Sequence, residues 1–134
     1  MSGDTFSKSF IFSEKFDSDY LFDLYAAEYD YLEEIFGTTL QQIITDTANL
    51  ALAFDNGDII GLKGYVHRMK PAFGFAGLLS FQEQCSNFEM QCAHATTTQQ
   101  LEQEYLQIVA TLAEGKQLIE QELERLKEFN ANPI

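Results

Sequence analysis

His67 is one of only two histidines in the 134-residue chain, and basic residues gather around it. No Lys or Arg occurs from Phe16 to Leu62, and then Lys63, Arg68 and Lys70 arrive within eight residues. The same stretch, HRMKPAFGFAG, holds Pro71, Gly74 and Gly77. With His67 as zero on a helical wheel at about 100° per residue, Ile60, Lys63, Gly64, Lys70, Pro71, Gly74 and Leu78 fall within roughly 60° of it. Leu62, Tyr65, Met69, Ala72, Phe73 and Ala76 collect on the opposite side, which reads as a core face. His67 should therefore stand on the solvent side, with Lys70 one turn along. Small neighbours leave room for something large to dock. The lysines place positive charge where an anion would sit. These features describe an accessible nucleophilic histidine that carries a negative group and is approached by another protein. The structural alternative is an ordinary surface histidine on a solvated face.

The elements that must hold this histidine read as helices. Residues 1–15 form an arm that either packs on the domain or is a disordered terminus, with the domain proper over 16–134. A short helix begins near Ser18 or Asp19, either able to cap it, and includes Tyr20 to Tyr25. A long helix runs from about Tyr29 to about Phe54. Its stripe is Leu32, Ile35, Phe36, Leu40, Ile43, Ile44, Thr47, Leu50 and Phe54. Gly37 is a weak point that could split it. Asp55-Asn56-Gly57-Asp58 reads as a turn, with Asn56 or Asp58 capping the next helix. That helix continues through His67 into Pro71, where a kink is expected because proline lacks the N–H that would bond the His67 carbonyl. A fourth helix covers about Phe75 to Ala93. The longest spans roughly 98–129, with a seam of Leu101, Tyr105, Ile108, Leu112, Ile119, Leu126 and Phe129, broken by Gly115 and Glu122. Asn130-Ala131-Asn132-Pro133 ends it. No strand pair is evident. The fold class is all-α: an antiparallel, up-down-up-down four-helix bundle with a short extra N-terminal helix or arm and a long C-terminal helix.

Composition narrows the function. A net charge of −13 argues against nucleic acid and anionic membranes as partners. Nothing approaches ~18 consecutive apolar residues, so no membrane span is expected. The N-terminus shows no signal peptide, and a cytoplasmic location is the default. Cys85, Cys92 and His94 form a C-x6-C-x-H pattern that is too open for a metal site and lacks a fourth ligand. The cysteines lie on one helix face and read as core. His94 sits near a helix end, where it meets the last carbonyls or solvent.

The chain resembles the histidine-containing phosphotransfer (HPt) family of multistep two-component signalling. The resemblance rests on His67, Lys70 three residues later, the helix-disrupting Pro71 next to it, and Gly77 ten residues after the histidine. Cys85, Phe88 and Glu89 fit a downstream pattern, and Asp58 fits an acidic turn residue upstream. Met69 stands where Leu is usual, Val66 where Ala is commoner, and Pro71 where many members have Gly or Ser. The matched region runs from about residue 19 to 93. The resemblance implies a phosphoryl carrier without kinase activity of its own, and no nucleotide loop is present. It implies that His67 takes a phosphoryl group from a receiver-domain aspartate and passes it to another receiver, the chain acting as a freestanding relay. The receivers would belong to a hybrid sensor kinase, a response regulator or both. It implies no cofactor or metal on this chain, Mg²⁺ belonging to the receiver. Lys70 would stabilise the phosphate charge. Lys63, Gly64, Arg68, Pro71, Gly74, Gly77 and Leu78 would form the docking face. The rival reading is a helical scaffold that docks a receiver or kinase without phosphotransfer. A third is self-association through the seam of residues 101–129.

Overall fold

The computed structural model describes residues 9–132, and all of its regular structure is helical. Residues 1–8 of the expected arm, and Pro133, lie outside the described residues. α1 spans Ser18–Tyr25 and is capped by Asp17, whose carboxylate accepts from the Tyr20 N–H at 3.0 Å. The cap thus falls one residue before the expected Ser18. α2 spans Tyr29–Asp55 without a break at Gly37. The burial of Phe36, Thr39, Ile43 and Leu50 along one side holds the helix through the glycine. α3 spans Ile59–Phe75, with the Asp58 side chain accepting from the Gly61 N–H at 2.8 Å. α4 spans Leu79–His94, and a 3₁₀ turn at Thr98–Leu101 leads into α5, Glu102–Ala131.

The turns after α2 and α3 share one design. Gly57 and Gly77 have φ values of +70° and +74°. The next N–H reaches back to close each helix, Asp58 to the Ala53 carbonyl at 2.8 Å and Leu78 to the Phe73 carbonyl at 2.9 Å. Gly77 is doubly constrained, because a Cβ there would lie 2.7 Å from Leu21 of α1. Its carbonyl also accepts from the Asp17 N–H at 3.0 Å, so α1 docks on this corner. For this reason α4 begins at Leu79, four residues later than the periodicity predicts.

The four long helices pack in a ring, α2 against α3, α3 against α4, α4 against α5, and α5 against α2. α2 and α5 run in opposite chain directions: Tyr29 meets Phe129 at 5.1 Å while Phe54 stacks on Tyr105 at 3.9 Å. The core is built from Phe36, Ile43 and Leu50 of α2, Leu62, Val66, Met69 and Phe73 of α3, Phe81, Cys85 and Phe88 of α4, and the α5 seam. Gly115, read as a break in that seam, faces inward: the Phe73 ring occupies the place a side chain would take. Glu122, the other break, is buried too. It accepts from the Ser13 N–H at 2.7 Å and pairs with Arg125. Arg125 also donates to the Ile11 carbonyl at 2.7 Å and lies 4.8 Å from the Phe10 ring centre. Thus the described part of the arm is strapped along α5. Among the described residues no helix is long and apolar enough to cross a membrane.

Candidate functional site

α3 presents His67 because its opposite face is consumed by the core. Leu62, Val66, Met69 and Phe73 are fully buried, whereas the His67 side chain is 66% exposed. Pro71 does not end the helix, which continues to Phe75. Position 71 is exposed, so water can serve the His67 carbonyl that proline leaves without its usual helical partner. Lys63, Gly64 and Pro71 share the exposed side with His67, and no atom lies within 4 Å of where a Gly64 side chain would begin.

Glu89 of α4 closes the site from one side. Its two oxygens divide between His67 Nδ1 and Lys70 Nζ, each at 2.7 Å. Burial pushes its carboxyl upward, but the hydrogen bonds and charge of Lys70 and His67 outweigh that and hold it below the ordinary value. An ionised carboxylate can only accept, which assigns the imidazole proton to Nδ1 and leaves the lone pair on Nε2. Glu89 therefore sets both the ring's orientation and which nitrogen is nucleophilic.

The other side belongs to α2. Gln42 Nε2 donates to the Arg68 carbonyl at 2.8 Å. Arg68 Nε stands 3.5 Å from Asp46 Oδ2, within ion-pair range but outside hydrogen-bond geometry. Asp46 is 1% exposed, and neither of its side-chain oxygens has a hydrogen-bond partner.

Three expected docking residues are elsewhere. Gly74, Gly77 and Leu78 are buried, Leu78 at 1% exposure. The wheel carried Leu78 to the His67 face by extending a helix that ends at Phe75, Gly77 came from the family motif, and Gly74, still inside α3, is covered by α4. Gly74 instead leaves room for the Gln82 amide, which lies 2.7 Å from where a Cβ would be. Gly77 and Leu78 form the corner under α1. Glu89 entered the sequence reading only as part of a downstream pattern, and its pairing across helices has no signal in α3 alone. Asp46 lies outside the apolar stripe of α2, which takes in Thr47 instead. The signal was an acidic residue between Ile43 and Leu50, at the three-four spacing of a buried face.

The cysteines take no part in this chemistry. Burial pushes the Cys85 thiol up to about 12, with Lys70 opposing, and the Cys92 thiol up to about 11, with Lys63 opposing. Among the described residues no group of three His, Cys, Asp or Glu side chains could hold a metal ion. His94 is exposed in the last turn of α4.

The bundle thus sets a solvent-facing histidine on a middle helix, with a lysine one turn on. The Hpt domain family model matches residues 34–129, and the chain belongs to that family. The match reaches through nearly all of α5, which lay outside the sequence-based alignment, and leaves out α1. The structure is also similar to the HPT domain from the Hpt Sensor Hybrid Histidine Kinase from Shewanella. There the TM-score is 0.70 at 17% identity, covering 83% of this chain and 95% of that one. No curated protein matches the chain. Family membership gives the chain a histidine phosphotransfer role in two-component phosphorelays, where HPt domains interact with receiver domains.

Proposed function

We propose that His67 is the phosphoryl acceptor, taking the group from a receiver-domain aspartyl phosphate and returning it to another receiver. The observation that carries this reading is the Glu89 bridge, which holds Nδ1 and leaves Nε2 free on the exposed face. The Nε2 lone pair attacks phosphorus, the P–O bond to the aspartate breaks, and the carboxylate departs with the bonding pair. No proton needs to move, because the ring keeps its Nδ1 proton and its new positive charge lies against Glu89. In the return step the second receiver's carboxylate attacks phosphorus and the N–P bond pair goes back to Nε2. Lys70 has three N–H donors and gives one to Glu89, so others remain for phosphoryl oxygens. Gly64 and Pro71, one turn to either side, keep the approach to His67 low. Lys63, on the same exposed side, adds positive charge to the docking face. Self-association through residues 101–129 gains no support, since Leu101, Ile108, Leu112, Ile119 and Leu126 of the seam are buried in the chain's own core and Tyr105 and Phe129 pack against it.

The test is transfer of labelled phosphate from phosphorylated receiver domains to the parent chain and to His67→Gln. Acid-labile label on the parent alone is the expected result. Receivers that bind both proteins yet label neither would mark a scaffold instead.

A further inference from the structure

Asp46 has no evident structural use as it stands. A buried carboxylate without hydrogen bonds is costly, and a well-packed apolar residue would serve the α2–α3 contact at least as well. Its ion-pair partner is Arg68, the residue next to His67. Arg68 is tied to α2 twice, through its backbone carbonyl by Gln42 and through Nε by Asp46. Its side chain is nevertheless 62% exposed. The Asp46 contact uses the nitrogen nearest the chain, and among the described residues no hydrogen bond or ion pair is made by the two terminal nitrogens.

We propose that Arg68 is a preorganised docking anchor for a carboxylate side chain on the receiver's face, and that Asp46 is the positioning residue behind it. The proposal rests on the receiver-docking reading above. A guanidinium fork matches a carboxylate in two-pronged geometry, and fixing it beforehand removes part of the ordering cost of binding. Charge complementarity points to an acidic contact. Three of the chain's eight basic residues surround His67 on a molecule of net charge −13, so this face attracts what the rest of the surface repels. Arg68 lies on the α2 side of His67, away from Lys70 and Glu89, so the anchor adds to the docking footprint without entering the phosphoryl chemistry.

The experiment is calorimetric titration of the parent chain and its variants with a panel of unphosphorylated receiver domains. For a receiver that binds the parent, Arg68→Ala should weaken binding about tenfold. Arg68→Lys should recover little, since a point charge lacks the fork. Asp46→Asn leaves the arginine charged but loose and should cost about threefold, without lowering the melting temperature. If Asp46→Asn folds poorly, Arg68→Lys carries the comparison alone. Arg68→Ala and Arg68→Lys within twofold of the parent would overturn the proposal. His67→Gln separates the two readings, because it removes the phosphoryl acceptor while leaving Arg68 and Asp46 in place, so the Arg68 comparison can be repeated in that background. Receivers that bind but never label His67 sink the acceptor reading and leave the Arg68 comparison legible. A panel without any binder sinks both.

Discussion

His67 stands between two ion pairs that look alike in outline and differ in every physical particular. On the α4 side, Glu89 meets its partners at 2.7 Å and is 16% exposed. On the α2 side, Asp46 meets Arg68 at 3.5 Å and is 1% exposed. The first is a charge-assisted hydrogen-bonded bridge that touches the reacting ring. The second never touches the ring and holds a cation that faces outward. Tight geometry around the imidazole serves bond making, where a misplaced nitrogen costs rate. A fixed cation one residue away serves encounter and docking. One helix can present both because residues 67, 68 and 70 project toward different neighbours, although they lie within a single turn.

The largest effects should come from the α4 side. Glu89→Ala frees the ring to rotate and to place its proton on Nε2. Labelling of His67 at saturating receiver should slow on the order of tenfold or more, a barrier increase of ~1.4 kcal/mol or above. Lys70→Ala removes a donor from the transferring group while leaving the Glu89–His67 contact. A loss of about tenfold is expected, because Lys70 is partly solvated and solvent takes over some of its role. Arg68→Ala should behave differently, raising the receiver concentration for half-maximal rate and leaving the saturated rate alone. Single-turnover transfer at several receiver concentrations distinguishes the two patterns. A drop in the saturated rate for Arg68→Ala would erase the division between the flanks.

How much of this was readable beforehand depended on whether one helix contained the information. The His67 face, Lys70 and the α2 span, Tyr29 to about Phe54 against Tyr29–Asp55 observed, follow from periodicity within single segments. The two acidic partners do not. Glu89 reaches His67 from 22 residues away and Asp46 reaches Arg68 from the preceding helix, and only the bundle's packing brings them together. Asp46 was also hidden by its own chemistry, since a search for apolar stripes selects Thr47 and skips a buried acid. Leu78 was misplaced for a different reason. A wheel assumes that the helix continues, and the left-handed Gly77 had already turned the chain.

That distinction among glycines gives a smaller and more local pair of effects. Gly77→Ala meets both a φ of +74° and the Leu21 side chain, and should destabilise the bundle by ~1–3 kcal/mol in urea unfolding. Gly64→Ala meets open space inside a helix and should stabilise by ~0.5–1 kcal/mol. If the exposed face is the docking face, that more stable variant should still bind receivers less well. Normal binding by Gly64→Ala would move the footprint away from this turn.

The smallest expected effect concerns pH. Lys70 and His67 hold the Glu89 carboxyl below its ordinary value of 4.5 despite its partial burial. A carboxyl depressed in the folded state contributes stability that is fully present above the unfolded value and lost as pH falls through the folded one. The parent chain should therefore melt higher than Glu89→Gln at pH values above 4.5, and the gap should close as pH drops below it. Melting curves of the two proteins across that range measure it. A gap that persists unchanged into acid would mean that Glu89 acts there through shape and neutral hydrogen bonding. The α4 bridge would then differ from the α2 pair in geometry alone, and the charge on Glu89 could not be what steadies the ring during transfer.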